Sequence, residues 1–317
     1  MTSADIHARL KEEAKALRAR VEDLVREGDA RARMVRTVCI YGGMITETLL
    51  EYEEPDAIME QAFHRISDLA GAEPADGEEA SALVPPAYAL DHDAEIGRAL
   101  ARALAAKLPK GLDSVHEVAI ALIIGALSDW EKEGFARDVA LRVLVEAVID
   151  SLTFEIATQE FCDVVIEDFI GKDEKHTTAD GIIGIGAVAG HYFGLARQKM
   201  VLPPDAETGM MRVVARESLR HGAPGSKDWA GLAVANDSTY NNVPDYIRAI
   251  KPGVEDFLRV IGLEDPLGRA VAVGKAVGRL VAAVSVEEVG QIHPSTAKSL
   301  AKTGMILGER YKEHAIQ

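Results

Sequence analysis

Carboxylates recur through a stretch of chain that is otherwise too apolar to lie on a surface. Between Val139 and Gly171 the segment carries Glu146, Asp150, Glu155, Glu160, Asp163, Glu167 and Asp168 among Val, Leu, Ile and Phe. Projected at about 100° per residue, its apolar side chains fall on every side, the pattern of a helix covered by others. A buried, unpaired carboxylate is costly, so some of these acids need a basic partner, a metal, water or a bound proton. Glu146, Asp150, Glu160 and Glu167 share one arc of the projection. Asp163 extends that arc, Asp168 closes it from the other side, and Glu155 points the opposite way. The arc reads as a solvated face or as the wall of a cleft whose carboxylates hold a divalent cation or act as acid and base. On the cleft reading the metal candidates are Glu160, Asp163 and Glu167, with His176 from the polar turn that follows. Glu160 and Asp163 are also the catalytic candidates.

Other patterns carry less information. Glu-x-x-x-His, which sets both side chains on one helical face, occurs at Glu60/His64 and Glu217/His221, but acids are frequent enough for chance to supply such pairs. The order His64, His92-Asp93, Asp150 imitates a metal phosphohydrolase ligand set. The His-Asp pair, however, falls where Asp91 reads as a helix N-cap, in an exposed first turn. The run GIIGIGAVAGHYFG (181–194) contains a glycine-rich nucleotide fingerprint in outline, yet no strand precedes it; small residues at a tight helix crossing fit better. His191 within that run reads as a hydrogen-bonded core histidine and is retained as a site candidate. The interval from His221 to Tyr246 gathers Lys227, Asp228, Trp229, Asn236, Asp237, Ser238 and Tyr240 with little regular structure, as in a functional lid or a satisfied connector. His221, Asp228, Asp237 and Tyr240 are therefore further site candidates. No P-loop, nucleophile elbow or aspartate-rich DDxxD cluster occurs.

The elements that must position these groups are helical. Apolar residues recur at three- and four-residue spacing and almost nowhere alternate, which predicts an all-α bundle of roughly eleven helices around a central apolar helical hairpin, residues 114–170. Ile6, Leu10, Leu17, Val21 and Leu24 stripe the first helix and predict a contact face within the fold or across a dimer. Gly42 and Gly43 predict a kink or close packing in the second helix. Ser114/Glu117 and Ser285/Glu288 have capping-box spacing, and Pro252 reads as the start of a helix. Three segments follow: an N-terminal helical part, 1–71, with oligomerising potential; an acidic linker, 72–90; and a main helical domain, 91–317.

Composition bounds the function. The chain has 317 residues, 48% hydrophobic and 5% aromatic, so its core is aliphatic, and its formal net charge is −16. That charge opposes nucleic acid and anionic membrane as partners. Eight acids (Asp68, Glu73, Asp76, Glu78, Glu79, Asp91, Asp93, Glu95) and no Lys or Arg lie between Arg65 and Arg98; those from Glu73 to Glu95 are expected to stay hydrated. Cys39 and Cys162 sit far apart in apolar contexts and read as buried thiols. With no signal peptide or membrane span, the expected location is cytoplasmic. Two function classes remain. One is a small-molecule-binding protein or enzyme with a pocket between the central acidic helix and the 221–246 loop, with a divalent cation as candidate cofactor. The other is a homo-oligomeric interaction or adaptor protein, supported by the N-terminal stripe and the Gly274/Gly278 face.

Overall fold

Apolar spacing at three and four residues, broken by Gly and Pro, becomes eleven α-helices and no strand among the described residues of the computed structural model. The structure describes residues 3–75, 87–171, 176–202, 206–223, 242–286 and 292–311. The helices are α1 (Ser3–Leu24), α2 (Ala30–Leu49), α3 (Pro55–Ala70), α4 (Ala87–Ala105), α5 (Leu112–Lys132) and α6 (Arg137–Val164), then α7 (Thr178–Lys199), α8 (Ala206–Arg220), α9 (Val243–Val260), α10 (Pro266–Val286) and α11 (Pro294–Arg310). A π-helical turn, Val165–Gly171, continues from α6. The chain divides into two compact units, Met1–Thr153 and Phe154–Gln317, and the division falls within α6. No described helix is long and apolar enough to cross a membrane.

Local chemistry explains the boundaries. Asp29 caps α2 by accepting from the Ala32 amide at 2.8 Å. Thr177 and Asp180 form a reciprocal capping box at the start of α7. Gly134, at φ 86°, closes the end of α5 while the Phe135 amide reaches back to Trp130 at 2.9 Å. The boxes expected at Ser114 and Ser285 do not form as helix starts: α5 begins earlier, at Leu112, leaving Ser114 buried inside it, and Ser285 lies in the last turn of α10. Glu117 instead pairs with Arg65 at 2.6 Å, and Glu288 lies outside the described residues.

Unit 1 is built on the pairing of α2 with α4, with α5 also against α2 and with α1 and α3 against α5. The stripe of α1 turns inward within this unit at Leu17 and Val21, Leu10 is half-buried, and Val25, just past the helix, is buried as well. Leu24, one position off, is exposed, and the side chain of Ile6 lies outside the described residues. The Gly42-Gly43 pair serves close packing: a Cβ on Gly43 would stand 2.1 Å from the Ala94 carbonyl oxygen, and one on Gly97 would stand 1.8 Å from that of Ile40.

Unit 2 uses the same device. α7, carrying the glycine run, packs against α11, α10 and α9. Added Cβ atoms would lie 2.0 Å from the Met305 oxygen at Gly190 and 1.8 Å from the Ala187 oxygen at Gly308. The run is thus a helix crossing, with no nucleotide-binding turn. The Gly274/Gly278 face is likewise spent inside the unit, against α8: a Cβ on Gly278 would meet the Val214 oxygen at 2.6 Å. Because these neighbours are backbone atoms, a methyl group can enter only if a helix moves. We therefore expect Gly190→Ala to destabilise unit 2 by about 2 kcal/mol or more by chemical denaturation, whereas Gly209→Ala, with no atom within 4 Å of its Cβ, leaves stability unchanged or raised.

Candidate functional site

One acid of the central helix is buried, and it is the one that pointed away from the arc. Glu155 is enclosed, while Glu160, Asp163, Glu167 and Asp168 are exposed along the continuation of α6 and its π-turn. Asp163 accepts from the Gln159 amide nitrogen at 2.9 Å, one turn away.

Glu155 is satisfied by helices distant in sequence. Arg220, at the end of α8, donates Nη1 to its Oε1 at 2.8 Å. Arg279, on α10, donates Nη2 to its Oε2 and Nη1 to its backbone carbonyl at 3.0 Å. Glu217 and His221 join from α8 and its end, one helical turn apart. Glu217 Oε1 accepts from Arg220 at 3.3 Å, whereas Glu217 Oε2, fully enclosed, has no hydrogen-bond partner among the described residues. Lys275, one turn before Arg279, is buried with its ammonium 4.8 Å from the centre of the Phe154 ring.

The pairing sets the charge state. Burial, the largest influence, pushes the Glu217 carboxyl upward, but the His221 hydrogen bond, Lys275 and Arg220 together outweigh it and hold the group down at about 2. His221 is the outlet of the cluster, its side chain 29% exposed. Its Nε2 lies 3.1 Å from Arg279 Nε and 3.1 Å from Glu217 Oε1. Which of the two contacts Nε2 makes, accepting from Arg279 or donating to Glu217, depends on the tautomer of the ring.

Glu155, Glu217 and His221 each offer a ligand atom within 4.8 Å of the others, a separation a divalent cation could span. Both Glu155 oxygens, however, already accept from guanidinium groups, and three cations adjoin two carboxylates, so a metal ion would have to displace an arginine against net positive charge. The cluster as arranged is an ion-paired clamp joining α6, α8 and α10.

A second feature lies farther along α6. The π-turn borders a cleft of about 370 Å³ whose opposite wall is Ala249, Ile250 and Gly253 of α9. Phe161, Val165, Asp168 and Phe169 line the near wall, and His176 reaches in from the segment before α7. The His176 ring stacks on Phe169 at 4.3 Å, and Tyr246 stands edge-on to both. The Tyr246 hydroxyl in turn bonds Asp180 of the α7 capping box. Both walls depart from ideal helix at the cleft, because α9 carries Pro252 in its interior next to Gly253. Pro252, read as a helix start, is thus an interior break. It removes one backbone donor, and the π-turn widens the facing segment.

The remaining candidates lie elsewhere. His191 is buried, its ring near Tyr192 and Tyr311. Glu60 and His64 are both exposed. Asp228, Asp237 and Tyr240, with most of the 221–246 interval, lie outside the described residues, as do Asp76, Glu78, Glu79 and the side chains of Asp91 and His92. The expectation that the linker acids stay hydrated holds at Glu73, which is exposed, and is overturned at Asp93 and Glu95. Helix α4 already begins at Ala87, so Asp91 lies within it and does not cap it, and Asp93 and Glu95 are buried. Asp93 pairs with Arg36, while Glu95 pairs with Arg98 and Arg102. Both thiols are buried as expected, and burial pushes each to about 12. Sequence reading missed Arg220, Lys275, Arg279 and Arg98. Lys275 and Arg279, one turn apart in an otherwise aliphatic helix, are a visible sign that α10 buries cations.

Comparison of the chain with family models, with curated proteins and with solved structures gives no match.

The clamp makes stability depend on pH in a defined direction. Glu217 titrates at about 2 in the folded chain against an ordinary 4.5. Its contribution is therefore complete above 4.5 and lost as pH falls toward about 2. We expect Glu217→Gln to lower stability at pH 7 by about 2 kcal/mol or more and to flatten the acid decline in that window, as read by denaturation at fixed pH values.

Proposed function

We propose that this chain is a small-molecule-binding helical protein whose site is the cleft beside the π-turn of unit 2. The observation that carries the reading is the convergence of two helix irregularities, Val165–Gly171 and Pro252-Gly253, on the walls of one cleft. π-Turns cost regular hydrogen bonding and are frequent at functional sites, and departures from local helix rules concentrate where function requires them. The volume lies within the size range of ligand pockets, and the walls combine apolar side chains with the polar side chains of Asp168 and His176. The matching ligand is small, with an apolar or aromatic body and at least one hydrogen-bond donor for the carboxylate.

Gly253 supplies the test, because a Cβ there meets only Phe161, at 3.9 Å, so a larger side chain projects into the cleft without striking backbone. A panel of small aromatic and aliphatic amines, alcohols and acids should include compounds that raise the melting temperature, by about 2.7 kcal/mol of stabilisation at one hundred times Kd. Gly253→Leu should abolish that response while keeping or raising the basal melting temperature, since glycine is the weaker helix former. A leucine variant that responds like the wild type would place the site elsewhere.

A second reading rests on the spacing of Glu155, Glu217 and His221, which suits a divalent cation liganded by carboxylate and imidazole. It predicts that Zn²⁺ or Mn²⁺ raises the melting temperature and that His221→Ala and Glu217→Gln each remove the effect. The preferred reading predicts no metal response that depends on these residues.

A further inference from the structure

Unit 1 holds a cleft of its own, also about 370 Å³, between α1, α2 and α5. Its apolar surface is Met34, Leu122, Ala126 and Trp130, with the Tyr41 ring beside them. Tyr41 is 2% exposed. Burial raises its phenol to about 12, Arg18 opposing the shift. An apolar base of this kind accepts a hydrocarbon body.

The rim carries both signs of charge. Arg18 is engaged, with Nε on Glu22 at 2.9 Å and a second nitrogen on Asp129. Arg33 is not engaged in this way: among the described residues its guanidinium reaches only the Gly28 carbonyl, at 3.3 Å, with no carboxylate partner. At the end of α5, Glu133 lines the same cleft with no described cation paired to it. Among the described residues, one cation and one anion thus remain without an opposite charge around an apolar base. A simple anion meets Glu22, Asp129 and Glu133, and a simple cation meets Arg18 and Arg33. A molecule carrying both charges answers both halves of the rim.

We propose that this cleft binds a zwitterionic ligand with an apolar body, of the class of the hydrophobic α-amino acids, its carboxylate on Arg33 and its ammonium on Glu133. The site belongs to unit 1 alone and is independent of the cleft in unit 2.

The protein contains two tryptophans, so Trp229→Phe leaves Trp130 as the only indole and makes its emission a direct reporter of the cleft. In the full chain with that substitution, L-leucine, L-methionine and L-phenylalanine should give a saturable emission change and a rise in melting temperature. Isoamylamine and 4-methylpentanoate, which keep leucine's hydrocarbon body with one charge each, should bind at least tenfold more weakly. Arg33→Gln and Glu133→Gln, both at exposed positions, should keep the basal melting temperature and weaken the amino acid at least tenfold. Gly253→Leu should leave the response intact. Absence of any response to the three amino acids overturns the proposal, as does an equal response to the amine or the acid, or an unchanged affinity in both rim variants.

Discussion

A charge inside an aliphatic helical core must have its counter-charge within reach, and that requirement joins elements that lie far apart in the sequence. In unit 2, Glu155 of α6 is held by Arg220 of α8 and Arg279 of α10. In unit 1, the fully enclosed Arg98 of α4 meets Glu95 one turn earlier and the Ser151 hydroxyl, at 2.7 Å, near the middle of α6. Removing one partner from such a pair costs roughly 3–5 kcal/mol, because the other stays buried and uncompensated. A domain's whole stability is of order 5–15 kcal/mol, so the packing of α6, α8 and α10 is not free to vary around the cluster.

Close helix approach is what makes such pairing geometrically available. Where glycines bring backbones together, as at Gly43 and Gly97 or at Gly190 and Gly308, each unit gains a rigid helix pair. Guanidinium groups also suit the interior, since Arg279 distributes its donors over a carboxylate, a backbone carbonyl and an imidazole. The functional consequence is a division of labour. Glu155 and Glu95, deep in the helices, are held by arginines, and the clefts carry polar groups in their lining: Asp168 and His176 in unit 2, Arg33 and Glu133 in unit 1.

Helical class, most helix limits and the close crossing at the glycine run were legible in the sequence, because apolar spacing, Gly and Pro report on local conformation. The identity of the buried acid was half legible. The projection separated Glu155 from the arc of Glu160 and Glu167, but a helical wheel does not say which side meets protein. Compensation came from residues 65 and 124 positions away, beyond the reach of any local pattern. The same limit explains Asp93 and Glu95: an acidic stretch without nearby Lys or Arg reads as hydrated until Arg36 of α2 and Arg102 of α4 itself are seen to fold onto it. The π-turn had no sequence marker, since Val165–Gly171 continues the apolar spacing of α6, and Pro252 reads as a start because interior prolines are uncommon in helices.

The account depends on Glu155 and Arg279 being energetically bound to one another and not merely adjacent. A double-mutant cycle with Glu155→Gln and Arg279→Met, read by denaturant unfolding at pH 7, measures this directly. Each single variant should lose about 3 kcal/mol or more, and the pair together should lose less than the sum by at least about 1 kcal/mol, because the second change removes the charge stranded by the first. Losses that add to within about 0.5 kcal/mol would contradict the account and leave the buried cluster without its structural role.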